Sequence, residues 1–171
     1  DFCLSRGLGD VYKRQIKDAV EKKILEESQG AIVFKGEKHG LDTRVFVNSL
    51  GLPTYEGKEL GLAKLEFNDF GKIDLCIHNV AVEQISFFKV TFKVEELLDP
   101  VLYKGKQYHN AYEFVGLKSG KMSSRKGSVV LASEIIDDAK KLLSPFLEDR
   151  GLGEKEKEET LEKIAIAAIK Y

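Results

Sequence analysis

The sequence predicts an α/β fold with parallel strands, and three consecutive stretches predict it. Residues 72–77, KIDLCI, are short, mostly apolar and bounded by Gly71 and by His78-Asn79, the pattern of a strand buried on both faces. Residues 81–98 then read as one long helix, with Val82, Ile85, Phe88, Val90, Phe92 and Leu97 on its apolar faces and Asp99-Pro100 as its stop. Residues 108–117 return to an extended pattern. Strand, helix, strand in that order is the βαβ unit of a parallel sheet.

Ahead of this unit, Ile16, Ala19, Val20, Ile24 and Leu25 recur at helical spacing and the run stops at Ser28-Gln29-Gly30, which predicts an amphipathic surface helix. Residues 31–34, AIVF, form a short strand, and residues 43–48, TRVFVN, alternate as a second; a polar turn between them lets the two pair as a hairpin. After Pro53 the pattern predicts a helix with Thr54 as its N-cap, and Tyr55, Glu59, Leu62, Ala63 and Leu65 lead to a stop near Asn68 and Gly71. Beyond the βαβ unit, residues 128–131 are extended. Ser133 caps a helix running to Leu147, with Ile135, Ile136, Ala139, Leu142 and Leu143 on one side. Gly151-Leu152-Gly153 breaks it, and residues 154–171 form a last helix, acid-rich at its start as the macrodipole favours. Its stripe of Leu161, Ile164, Ala165, Ala168 and Ile169 runs to the final residue, so a partner for it is expected.

Composition narrows the function classes. The 171 residues are 43% hydrophobic and 32% charged, with a formal net charge of -1, so general polyanion binding is not written into the bulk charge. No run approaches 18 apolar residues, which predicts no membrane span. Cys3 and Cys76 stand far apart, with no C-x-x-C and no Cys/His cluster in the sequence, so a reducing cytoplasmic compartment and no protein-bound metal are expected. Residues 1–15, DFCLSRGLGDVYKRQ, show neither an apolar signal core nor a clear period, and no regular element is expected there. The run SRGLGDVYKRQ resembles translated sequencing-adapter read-through, so 1–15 is expected to be non-native or disordered, a flexible arm being the rival.

One stretch carries most of the chemistry: Gly120-Lys121-Met122-Ser123-Ser124-Arg125-Lys126-Gly127-Ser128. It holds three cations, three hydroxyls and no carboxylate, and no acidic residue occurs between Glu113 and Glu134. Lysine supplies a mobile point charge, arginine a planar fork, serine and glycine-permitted backbone N–H groups short-range donors, a set that suits phosphate. A P-loop does not fit, because glycine would be needed at Val115 and Ser or Thr at Met122. On composition alone a solvated hairpin loop is an equal reading.

The residue order decides between them. Lys121-Met122-Ser123-Ser124-Arg125 resembles the KMSKS loop of class I aminoacyl-tRNA synthetases, with Ser124 in place of the second lysine and Arg125 and Lys126 directly after. Residues 45–59, VFVNSLGLPTYEGKE, resemble the amino-acid-binding turn and helix of arginyl-tRNA synthetases. Glu83-Gln84 with Phe87-Phe88-Lys89-Val90 resembles the start of that family's EQ helix, and residues 109–117, HNAYEFVGL, lead into GKMSSRKG as they do there. Residues 164–171, IAIAAIKY, resemble the opening of its helical anticodon-binding domain.

The resemblance implies the C-terminal half of a Rossmann-like class I synthetase catalytic domain over 16–132, including the loop at 120–127, then the first helices leading into an anticodon-binding domain over 133–171. It implies Lys121, Arg125 and Lys126 as catalytic residues and His109, Lys121, Met122, Ser123, Ser124 and Arg125 as ATP-binding residues. Tyr55, Glu59 and Gln84 would bind arginine. Tyr55 and Glu59 are i and i+4 on one helix face, where a carboxylate can pair with a guanidinium and a ring can pack on its plane. The family carries Asp where Glu59 stands here. The partners implied are arginine, ATP with Mg²⁺ and tRNA(Arg), in a cytoplasmic parent that works as a monomer. Lys38-His39-Gly40-Leu41 is not the HIGH signature, since Leu41 replaces the histidine, so the chain alone is expected to be inactive. Two other readings stay open: another class I synthetase such as the class I lysyl type, and a non-catalytic nucleotide- or RNA-binding module.

Overall fold

The structure, a computed structural model, describes residues 6–114 and 130–171. The chain separates into two compact units, Asp1–Glu113 and Phe114–Tyr171.

The first unit opens with α1 (Arg6–Glu21). The expectation of no regular element over 1–15 is therefore corrected from Arg6 onward. The weak apolar signal there is offset by packing: Tyr12 lies against the main core, on which Ile16 and Ala19 are buried. The helix ends before the expected Ser28. Lys23 adopts φ 56°, its N–H reaches Val20 O, and the Ile24 N–H reaches Ala19 O at 2.9 Å, a Schellman-type stop built without glycine. Lys22 Nζ reinforces that stop by donating to Leu98 O at 2.9 Å.

Three antiparallel strands follow: β1 (Glu26–Ser28), β2 (Ala31–Phe34) and β3 (Arg44–Val47). The β2–β3 hairpin is as the alternation predicts. Strand β1 was not anticipated, because EES has no apolar period; Gln29 and Gly30, both at positive φ, form the two-residue turn that folds it onto β2. Helix α2 (Tyr55–Asp69) starts where the sequence places it, with Thr54 accepting from Gly57 N. The same hydroxyl donates to Val45 O at 2.6 Å, so the cap also fastens α2 to β3. Side chains from α1, the hairpin, α2 and the next long helix meet in one core that includes Leu25, Phe46, Leu60, Val90 and Val94.

Strands β4 (Cys76–Ala81) and β5 (Gln107–Tyr112) form a parallel pair, joined by a 3₁₀ turn at Val82–Gln84, α3 (Ile85–Leu98) and the short α4 (Pro100–Tyr103). The βαβ order holds, with three corrections. The first strand begins at Cys76 rather than Lys72, because Ile73 packs with Phe67 and Tyr103 in a second small core. It is not buried on both faces: Ile77 and Tyr108 are more than half exposed. The predicted helix over 81–98 begins as 3₁₀ and becomes α-helical only at Ile85; Asp99 then caps a new turn that has Pro100 at its start.

In the second unit, α5 (Ala132–Leu143) is preceded by Leu131, not capped by Ser133; Glu134 reaches back to accept from Leu131 N at 2.9 Å. A 3₁₀ stretch at Ser144–Arg150 replaces the expected helical run to Leu147, Pro145 being unable to donate to it. Helix α6 (Glu154–Lys170) buries Leu161 and Ala165, and Lys140 of α5 pairs with its Glu158 at 2.7 Å. Among the described residues no helix is long and apolar enough to cross a membrane.

Candidate functional site

In a strand, residues two apart share a face, and parallel pairing sets equivalent faces side by side. The register Cys76↔Gln107 and His78↔His109 therefore lays Cys76, His78, Gln107 and His109 on the helix-covered face of the β4–β5 sheet. Ile77, Asn79, Tyr108 and Asn110 take the other face, where Asn110 donates to Asn79 Oδ1 at 2.9 Å. Phe88 of α3 packs on both histidine rings, at 5.0 Å from His78 and 4.5 Å from His109. His109 Nε2 lies 2.8 Å from Val80 O and donates to it.

Helix α2 brings carboxylates to this face. Glu59 Oε1 is 3.9 Å from His78 Nδ1, too far for a hydrogen bond, and has no hydrogen-bond partner. Burial, aided by Glu66, pushes the Glu59 carboxyl up to about 7. Glu66 Oε2 is 3.9 Å from Cys76 Sγ, and burial followed by the nearby acids pushes that thiol up to about 11. Glu95 of α3, 1% exposed, accepts from Gln107 Nε2 at 2.6 Å through Oε2 while its Oε1 has no partner; burial holds this carboxyl well above the usual range. Gln107 Oε1 in turn accepts from His78 Nε2 at 2.9 Å. Among the described residues no Lys or Arg pairs with Glu59, Glu66 or Glu95. The acid at Glu56 behaves differently: it takes Arg44 Nη1 at 3.1 Å, while Arg44 Nη2 donates to Ser86 Oγ at 2.9 Å, tying β3, α2 and α3 together.

The sequence-derived site residues divide accordingly. Glu59 points inward, its side chain 13% exposed, whereas Tyr55 at the helix start is 79% exposed with Lys58 Nζ 5.6 Å from its ring centre. Gln84 is exposed just past the carboxyl end of β4, where open α/β sheets bind ligands. His109 faces α3. Lys121, Met122, Ser123, Ser124, Arg125 and Lys126 lie outside the described residues. Sequence reasoning missed His78, Glu66, Glu95, Cys76 and Gln107. A C-x-H run on a strand places both side chains on one face, a signal that a search for C-x-x-C passes over.

The family model described as tRNA synthetases class I (R), catalytic domain, matches residues 3–171. An arginine–tRNA ligase of Bacillus cereus is 33% identical over 150 residues, covering 87% of this chain and 26% of that protein. The arginine–tRNA ligase of Flavobacterium psychrophilum is 28% identical over 164 residues, covering 93% and 27%. The chain thus spans about a quarter of the length of the curated relatives it matches. Among solved structures, the arginyl-tRNA synthetase of Thermus thermophilus superposes with a TM-score of 0.63 at 19% identity, over 95% of this chain and 33% of that one, a likeness of fold.

Proposed function

The chain belongs to the class I arginyl-tRNA synthetase family, and from that premise we propose that its parent protein activates arginine with ATP and Mg²⁺ and transfers the arginyl group to the 3′ end of tRNA(Arg). The observation that carries the arginine assignment is Glu59. It is a largely buried carboxylate with no Lys or Arg partner among the described residues, and a guanidinium would supply the charge and donors it lacks. In this reading Tyr55 closes over the guanidinium plane and Gln84 contacts the amino-acid end of the substrate. The arginine carboxylate then attacks the α-phosphorus of ATP, forming the acyl-phosphate bond as the bond to pyrophosphate breaks. Lys121, Arg125 and Lys126 stabilise the charge that develops on the phosphates, with Ser123, Ser124 and the Met122 backbone as further donors and His109 beside the adenine. The catalytic portion is 16–132 and residues 133–171 lead into the anticodon-binding domain, in a cytoplasmic monomer.

Two measurements of arginine-dependent ATP–pyrophosphate exchange test this. The 171-residue chain alone, which contains no His-x-Gly-His run, gives none. In a parent completed with its upstream half, Glu59→Gln raises the arginine KM at least about tenfold, the loss of one charge-assisted hydrogen bond. Unchanged arginine use by that variant would overturn the assignment and favour another class I amino acid.

A further inference from the structure

Glu66, Cys76 and His78 bring one ligand atom each to within 4.8 Å of one another, from α2 and from one face of β4. Cys76 Sγ is 3.5 Å from His78 Nε2 and 3.9 Å from Glu66 Oε2. A tetrahedral ion with metal–sulfur and metal–nitrogen bonds of about 2.3 and 2.05 Å holds those two atoms about 3.6 Å apart. The sulfur–nitrogen spacing already fits. Gln107, paired in register with Cys76, sets its Oε1 2.9 Å from His78 Nε2, close enough to share one coordination sphere.

We propose that Glu66, Cys76 and His78, with Gln107 Oε1 in the fourth position, form a site for a borderline divalent transition metal, zinc being the best match. Thiolate and imidazole ligands select zinc over the hard cations magnesium and calcium, which take oxygen. The second observation is the set of acids behind the ligands. Glu95, 1% exposed and bonded to Gln107, keeps one oxygen without a partner, and among the described residues no Lys or Arg answers Glu66 or Glu95. A divalent ion supplies the missing positive charge. Binding sends the Cys76 thiol proton to solvent and shifts the imidazole proton from Nε2 to Nδ1. Nδ1 then faces Glu59 Oε1 at 3.9 Å, and closing that gap would complete the carboxylate–histidine–metal order that fixes ring and tautomer in such sites. The ion cross-links α2 to the β4–β5 sheet, and the proposal does not draw on the arginine assignment.

The test loads the purified chain with Zn²⁺ or Co²⁺, followed by dialysis. One equivalent of zinc is retained, and the cobalt form shows a thiolate charge-transfer band with tetrahedral d–d absorption. Cys76→Ser abolishes that band, while Cys3→Ser leaves it. Zinc also protects Cys76, and not Cys3, from alkylation read by peptide mass spectrometry, a result that stands even if Cys76→Ser fails to fold. No retained zinc, a band that survives Cys76→Ser, or Cys76 alkylated equally with and without zinc overturns the site.

Discussion

Gly57→Ala forces the first turn of α2 off β3, and its size can be worked from two contacts. A Cβ at position 57 would stand 2.3 Å from Phe46 O, about 1.1 Å inside ordinary contact. That carbonyl cannot simply yield, because it accepts from Thr54 N at 3.1 Å and from Thr54 Oγ1 at 3.2 Å. Overpacking of this kind costs about 1–3 kcal/mol, and loosening the Thr54 cap adds about 1 kcal/mol. Alanine's better helix propensity returns about 1 kcal/mol, leaving a net loss of about 1–3 kcal/mol. Gly9→Ala is the control, since it makes the same chemical change inside α1 with nothing within 4 Å. It stabilises by up to about 1 kcal/mol. Urea titration followed by far-ultraviolet circular dichroism should move the two midpoints in opposite directions. A Gly57→Ala midpoint at or above wild type would show that the α2–β3 contact is not where the structure puts it.

Leu60→Ala, at a site 1% exposed in the main core, should cost about 2–5 kcal/mol, whereas Leu50→Ala, 80% exposed, should stay within about 0.5 kcal/mol; equal midpoints in urea would contradict the core assignment. Glu59 sets a pH dependence in the metal-free chain. Burial raises its folded carboxyl to about 7 from an ordinary 4.5, so between those values the folded state holds a proton the unfolded chain has lost, and stability falls as pH rises through them. The ceiling is about 3 kcal/mol, and Glu59→Gln should flatten this part of the profile; an unchanged wild-type slope in the variant refutes the desolvated state.

What could be read from the sequence was what local rules decide. The Thr54 cap, the stop at Asp99-Pro100 and the β2–β3 alternation each depend on a few neighbouring residues, and each is present. Strand β1 depends on two positive-φ residues, Gln29 and Gly30, and on an edge to pair with, so its polar residues carry no signal of their own. The shift of β4 from Lys72 to Cys76 has a tertiary cause as well: Ile73 is drawn to Phe67 and Tyr103. The site followed the same division. Motif order points to Glu59, Gln84 and His109 as candidates, while His78, Gln107 and Glu95 meet only because a parallel register and α3 bring together positions 78, 107 and 95.

That meeting is held with unequal strength. Helix α2 is fastened by Thr54, by the Arg44–Glu56 pair and by Leu60 in the main core, so Glu59 and Glu66 stand on firm backbone. His78 and Gln107 ride on a two-stranded parallel sheet that has a helix on one face and exposed Ile77 and Tyr108 on the other, whereas parallel strands ordinarily need cover on both. The Gln107–Glu95 bond adds a buried polar tie to the Phe88 packing between that sheet and α3, where Glu95 lies beside Val94 of the main core. Leaving a carboxyl buried there is costly compared with an apolar residue of similar size. Its return is register: a one-residue slip of β5 would turn Gln107 to the open face and strand Glu95 without any partner. The same slip would carry His109 away from Phe88 and Val80, so one buried polar pair keeps His109 beside His78 on the face that α2 and α3 address.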